Sequence, residues 1–290
     1  MNTWHTKGFE NLKRYFDAVI ALRTPTHAYL LHGQESIGKR TFALEIARKI
    51  RGDQATADAK IITADTQDGQ STIGIDEIRQ ARNYLSMKPF GSGFHCLIIN
   101  DAHGMTVEAA NALLKILEEP PTAAIIFLVT AFPEQLPLTV LSRCMSFYCP
   151  SQSREIIETE LHARKLSKPQ IDFLVALANG RLGLVLDLIR ADRFGEVKKS
   201  IASLAELLDA DINVRLAWSS QASEKDRGEL AAMIRIWLLY IRMSKSSPLI
   251  AISGELTRLL AIADRPQFNM QLALDAFVIS LPSRKPARLG

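Results

Sequence analysis

Cysteine is scarce in this sequence: Cys96, Cys144 and Cys149 are the only three, and no two form a C-x-x-C pair. An odd set without that spacing builds neither a disulfide framework nor a four-thiolate zinc site, so the thiols are expected to be small buried apolar groups. Long apolar runs are also lacking. The longest, "AAIIFLV" from Ala123 to Val129, falls far short of the ~20 residues that span a bilayer. No basic-then-apolar leader opens the chain, and a cytoplasmic protein without a membrane partner is expected. Neither sign of charge dominates, since 35 Lys and Arg against 31 Asp and Glu leave +4. The basic residues are dispersed apart from a terminal cluster, Arg284, Lys285 and Arg288, which reads as a solvated tail. That balance permits contact with nucleic acid without requiring it. Repeats and low-complexity segments are absent.

What is present is a large apolar fraction, 47% of 290 residues, enough for two or three domains. Up to about residue 150, short apolar runs ("AYLLHG", "KIITA", "HCLIIND", "AAIIFLVT", "MSFYC") alternate with amphipathic segments. The pattern predicts an α/β domain, a parallel sheet with helices on both faces. After Pro150 apolar residues recur at helical spacing and strands disappear, so the remainder is expected to be all-α. Breaks at Gly180, Gly183 and around 193–195 divide it into a small helical unit, 151–195, and a larger one, 196–290.

Gly33, Gly38 and Lys39 stand in the register G-x-x-x-x-G-K, between a strand and a helical pattern. Glycines there let several backbone N–H groups converge on phosphate oxygens at a helix N-terminus, and the lysine neutralises charge. The hydroxyl that normally follows and holds Mg²⁺ is replaced by Arg40, whose guanidinium has only donors. Thr41 is one residue out of register, about 100° further round the helix, and reads as an ordinary helix residue.

The strand "HCLIIND" ends in Asp101, where a metal-binding carboxylate would sit, although a helix cap would look the same. The next residue is Ala102, which cannot orient an attacking water. His103 is expected to be a satisfied polar residue rather than a base.

Two longer stretches carry a resemblance. "DAHGMTVEAANALLKILEEPP", containing Asn111–Pro121, and "IIFLVTAFPEQLPLTVLSRC", ending in Ser142, Arg143 and Cys144, resemble the AAA+ module of the bacterial clamp-loader subunits of DNA polymerase III, most of all the delta-prime class. The likeness is strong over residues 25–150 and architectural beyond. It implies a P-loop AAA+ domain at 1–150, a helical lid at 151–195 and a C-terminal helical collar at 196–290 that holds the subunit in a ring. It implies that Arg143 is an arginine finger, presented across a subunit interface to the γ-phosphate of ATP held by the neighbour, a task suited to a planar guanidinium. Gly33, Gly38, Lys39, Asp101 and Thr130 would be a degenerate nucleotide site, Thr130 being the polar group at the end of the fourth strand that faces nucleotide. The arginine that opens the last lid helix in the family is replaced by Gly183, and Arg181 is no substitute because it faces another side of the helix. The family's four-cysteine zinc module has no counterpart, since "RGDQATADAK", Arg51–Lys60, lacks cysteine and histidine.

The expected function is that of a clamp-loader subunit without ATPase activity of its own, a component of the polymerase III holoenzyme. No cofactor is required, weak nucleotide binding through Lys39 and the loop amides is allowed for, and zinc is not expected. Expected partners are the ATPase motor subunits and the clamp-opening subunit, with the sliding clamp and primed DNA reached through the complex. The competing readings are an ATP-hydrolysing motor subunit or other AAA+ ATPase, and a stand-alone DNA-binding regulator.

Overall fold

The computed structural model describes residues 4–51, 59–63, 65–67, 70–87, 94–164, 166–192, 194–244, 247–263 and 268–282. The basic cluster at 284–288 and most of the segment 51–60 lie outside them. The chain divides into two compact units, 1–185 and 186–290. The segment expected as a lid thus falls in the first unit as far as residue 185.

The first unit runs α1 (Glu10–Leu22), β1 (Ala28–His32), α2 (Lys39–Arg51), β2 (Lys60–Thr63), β3 (Asp65–Gln67), β4 (Gln70–Thr72), α3 (Ile75–Ser86), β5 (His95–Asn100), α4 (Val107–Glu118), β6 (Ala124–Thr130), α5 (Leu138–Leu141) and β7 (Met145–Tyr148). Three helices follow: α6 (Arg154–His162), α7 (Lys168–Ala178) and α8 (Leu182–Arg190), the last crossing the division. The five expected strands form one parallel sheet in the order β2-β5-β6-β1-β7, while β3 and β4 make a separate antiparallel pair.

The central strands are apolar without alternation because both faces of the sheet are covered. Successive side chains point to opposite faces, so Leu30, Leu97, Ile99, Ile126 and Leu128 pack with Ile78 of α3, Leu113 of α4 and Val140 of α5. On the other face Tyr29, Leu31, Ile98, Phe127 and Val129 pack with Phe16 of α1 and with Phe42 and Ile46 of α2. Phe16 lies at the centre of an aromatic cluster, its ring centroid 5.2 Å from Tyr29 and 5.9 Å from Phe42. Buried Glu45 on α2 accepts from the backbone N–H of His5 and, at 2.7 Å, of Thr6, which pins the chain's entry over this face.

Parallel register brings three strand ends to one edge: His32 of β1 lies opposite Thr130 of β6, and Asn100 of β5 opposite Val129. Ligand sites of open α/β sheets form at such carboxyl ends, and the glycine loop leaves β1 there.

Within the second unit α9 (Phe194–Asp209), α10 (Ile212–Ser223), α11 (Arg227–Ser244), α12 (Ser247–Ala263) and α13 (Met270–Ser280) enclose a core around the fully buried Trp237. The polarity of α10 is inverted over its first two turns. It buries Arg215 and Ser219 while exposing Ile212 (45%), Val214 (55%) and Leu216 (36%). Arg215 donates to the carbonyls of Leu207 and Leu208 in the last turn of α9 and of Leu281 and Pro282 just after α13, at 2.9–3.1 Å. A buried cation with no carboxylate partner among the described residues is tolerable here because the ends of two helix dipoles face it.

Candidate functional site

The glycine loop adopts the backbone its residues predict. Gly33 and Gly38 take φ of 144° and 101°, with Ser36 at 57° between them. A Cβ at Gly33 would stand 2.3 Å from the carbonyl oxygen of Cys149, so the loop passes too close to the end of β7 for any side chain. Lys39 opens α2 and is buried, its ammonium donating to the carbonyls of Gly33 at 2.7 Å and Gln34 at 2.6 Å. Burial lowers its pKa, while the charges of Glu35 and Asp101 pull the other way. The Cys149 thiol beside it is pushed up to about 12 by burial and is neutral at physiological pH. Arg40 and Thr41 are exposed on α2.

The residues after β7 close over this loop. Gly183, in the first turn of α8, donates its amide to the carbonyl of Ser36 at 2.7 Å. A Cβ at Gly183 would lie 2.6 Å from that oxygen. Ser151 Oγ donates to Gln34 Oε1 at 2.9 Å, and Gln152 Nε2 to the carbonyl of Ile37 at 3.3 Å. The carbonyls of Gly33, Gln34, Ser36 and Ile37 are therefore committed to Lys39, Gly183 and Gln152 (φ is positive at Gly180, where the chain turns to reach this contact).

At the neighbouring strand ends, Asp101 sits in the left-handed region at φ 53° and accepts from Asn100 Nδ2 at 2.7 Å. It precedes a short 3₁₀ turn, 102–104, without making a side-chain capping bond. Ala102 is buried in the core, so the position where a water-orienting carboxylate would follow holds only a packed methyl group. Thr130, expected as a nucleotide-facing group, ends β6. It is fully buried, its hydroxyl 3.1 Å from His103 Nδ1 and accepting from the amide of Phe132 at 3.0 Å. The His103 ring stacks edgewise on Phe132 with centroids 4.9 Å apart.

Arg143 lies elsewhere, directly after α5 and before β7. Hydrogen bonds from its amide to Val140 and from the Cys144 amide to Leu141 fix the backbone, and the Cys144 side chain packs against the core. The guanidinium is held outside by Glu118, the last residue of α4, with Nη2 to Oε1 at 2.7 Å. Nη1 donates to the carbonyl of Thr139 at 2.9 Å. The structure thus groups Gly33, Gly38, Lys39 and Asp101 at one edge of the sheet, encloses Thr130 beneath it, and leaves Arg143 apart from them. Nothing in the sequence marks Glu118 as the partner of Arg143, since the pair is 25 positions apart. The contact of Gly183 was signalled only by the glycines that interrupt the helical pattern. Among the described residues no group of His, Cys, Asp or Glu could hold a metal ion, and no helix is long and apolar enough to cross a membrane.

Comparison with known proteins adds a family to this geometry. The sequence pattern of the family described as DNA polymerase III, delta subunit, matches residues 8–153. The chain is similar to the tau subunit of DNA polymerase III from Bacillus subtilis, 32% identical over 154 residues that make up 48% of this chain and 27% of that protein. It is also similar to the delta' subunit of DNA polymerase III from Escherichia coli, 34% identical over 143 residues, 49% of this chain and 42% of that protein. The match thus spans less than half the length of either relative. Among solved structures, a DNA polymerase III gamma subunit-related protein from Thermotoga maritima superposes with a TM-score of 0.55 over 91% of this chain and 97% of that one, at 19% identity. At that identity the likeness concerns the fold alone.

Proposed function

The chain belongs to the DNA polymerase III delta-subunit family, and from that premise we propose that it is a delta-prime-type clamp-loader subunit that hydrolyses no ATP itself and lends Arg143 to the ATP site of a neighbour. In this reading it joins ATPase motor subunits and the clamp-opening subunit in the cytoplasm, and helps place the sliding clamp on primed DNA. The first unit supplies the AAA+ module and lid, the second the collar. The inverted polarity of α10, which leaves Ile212, Val214 and Leu216 uncovered, supports a role for the second unit in assembly.

The observation that carries the reading is the state of the chain's own P-loop. The lysine that would meet the phosphates is bonded to the carbonyls of Gly33 and Gln34. The metal-binding hydroxyl is Arg40, the water-orienting carboxylate is the buried Ala102, and the lid residue that would carry an arginine is Gly183, packed on Ser36. This donor set does not fit a hydrolytic Mg²⁺–ATP centre. Arg143 stands free of those losses, on a fixed backbone with its head group half-exposed.

The test is ATP hydrolysis by complexes reconstituted with wild-type or Arg143→Ala chain at matched assembly. Loss of a finger costs roughly 10³–10⁵ at the site it serves, and motor sites served by other subunits would persist, so the total falls in part. Lysine is expected to rescue poorly, since a point charge lacks the two-pronged contact. Equal rates with clamp and primed DNA would leave the chain a scaffold only. Turnover by the isolated chain that vanishes in Lys39→Ala would instead favour a motor subunit.

A further inference from the structure

Arg143 can act across an interface only if its guanidinium is presented in one orientation. An arginine side chain has four rotatable bonds, and immobilising such a side chain costs ~0.5–1.5 kcal/mol at the moment of use unless the fold has already supplied the order. The backbone here is ordered by the bonds at Val140 and Leu141, which leaves the side chain to be fixed separately. Three groups do so. Nη1 donates to the Thr139 carbonyl at 2.9 Å and to Ser142 Oγ at 3.4 Å within the same turn, and Nη2 donates to Glu118 Oε1 at 2.7 Å. Only Glu118 comes from another element, and it is placed there because α4 ends at that residue while its buried face, Leu113, Ile116 and Leu117, is locked into the core that also holds Val140.

Resting on the reading of Arg143 as a finger in trans, we propose that Glu118 is its positioning residue, holding the guanidinium outward with the edge not bonded to Glu118 and Thr139 presented to a phosphate. The pair is exposed on both sides, 35% for Arg143 and 50% for Glu118. An ion pair in that setting adds little stability. It can nonetheless restrict rotation, and a fixed donor plane is what two-pronged phosphate contact needs. The carboxylate also offsets part of the guanidinium's charge, which would weaken its pull on phosphate. These two effects have opposite signs in rate, so substitutions separate them.

The experiment measures kcat and KM for ATP in complexes reconstituted with the ATPase partner subunits, sliding clamp and primed DNA. The chains compared are wild type, Glu118→Ala, Glu118→Gln, Arg143→Ala and the double Glu118→Ala/Arg143→Ala. Equal assembly and unchanged thermal unfolding serve as controls. Glu118→Ala is expected to lower the Arg143-dependent part of kcat about three- to tenfold, the factor that ordering one side chain is worth, with KM unchanged. Glu118→Gln should lose less, because its amide oxygen still accepts. The double variant should match Arg143→Ala. If Arg143→Ala slows hydrolysis and Glu118→Ala does not, Glu118 has no positioning role and the finger reading survives. A faster Glu118→Ala complex would make Glu118 a restraint and overturn the proposal. If Arg143→Ala itself runs at the wild-type rate, both readings fall together.

Discussion

The amide of Gly183 donates to the carbonyl of Ser36 over 2.7 Å, and a Cβ on that glycine would stand 2.6 Å from the same oxygen. The start of α8 is therefore seated directly on the glycine loop that follows β1. Alanine gains at most about 1 kcal/mol of helix preference over glycine, while the oxygen it meets belongs to backbone and cannot retreat without losing its bond. Gly183→Ala is expected to destabilise the first unit by about 1–3 kcal/mol, read as a lower melting temperature by calorimetry. Gly183→Arg should be worse and should confer no nucleotide binding.

Nucleotide is expected to do little for the isolated chain. A ligand that binds only the folded state raises stability with its concentration over Kd, but phosphate would have to displace the Lys39 ammonium from two carbonyls at 2.6–2.7 Å. Millimolar ATP or ADP, with Mg²⁺ or without, should leave the melting temperature unmoved. An upward shift that is abolished by Lys39→Ala would show that the loop opens to bind.

Stability should fall with acid in two stages. Burial, and then the nearby Lys39 charge, lowers the pKa of His32 below its ordinary value of about 6.5. The unfolded chain therefore binds the proton first, and stability present above about pH 6.5 is lost as pH falls toward the folded value. Burial alone would raise Glu45, but the bonds it accepts from Thr6 and His5 outweigh that and leave its pKa lowered. Its contribution is present above the ordinary carboxylate range and is lost as pH falls through it. Denaturant midpoints measured from about pH 8 to about pH 3 should hold level at first, decline as pH falls below about 6.5 and decline again through the carboxylate range, and His32→Asn should flatten the upper stage alone.

Arg215 should be the most sensitive position of the second unit. Its guanidinium satisfies four carbonyls at the ends of two helices. Arg215→Met fills the volume yet leaves those acceptors unpaired, at an expected cost of about 3 kcal/mol or more. Urea unfolding of a full chain carrying Trp4→Phe should show the loss in the transition reported by the fluorescence of Trp218 and Trp237, both in this unit.

What the sequence by itself determined was the set of parts. Both-faced burial makes a parallel strand an unbroken apolar run, so "HCLIIN" and "AIIFLVT" announced β5 and β6, and helical spacing after Pro150 announced the rest. The missing chemistry at Arg40 and Ala102 was legible for the same reason: a side chain's donors and acceptors are local facts. The pair β3–β4 was not legible, having three residues per strand and no apolar pattern. Tertiary structure alone decided that Lys39 spends its donors on its own loop, that Thr130 bonds to His103, that Gly183 rests on Ser36, and that Glu118 holds Arg143. It also decided that α10 turns Arg215 inward and Ile212 outward, against the rule that apolar residues face the core. Apart from the Lys39 contacts, which close over five and six positions, these join groups far apart in the chain, and which acceptor a donor meets depends on where packing brings it, a quantity no single segment encodes.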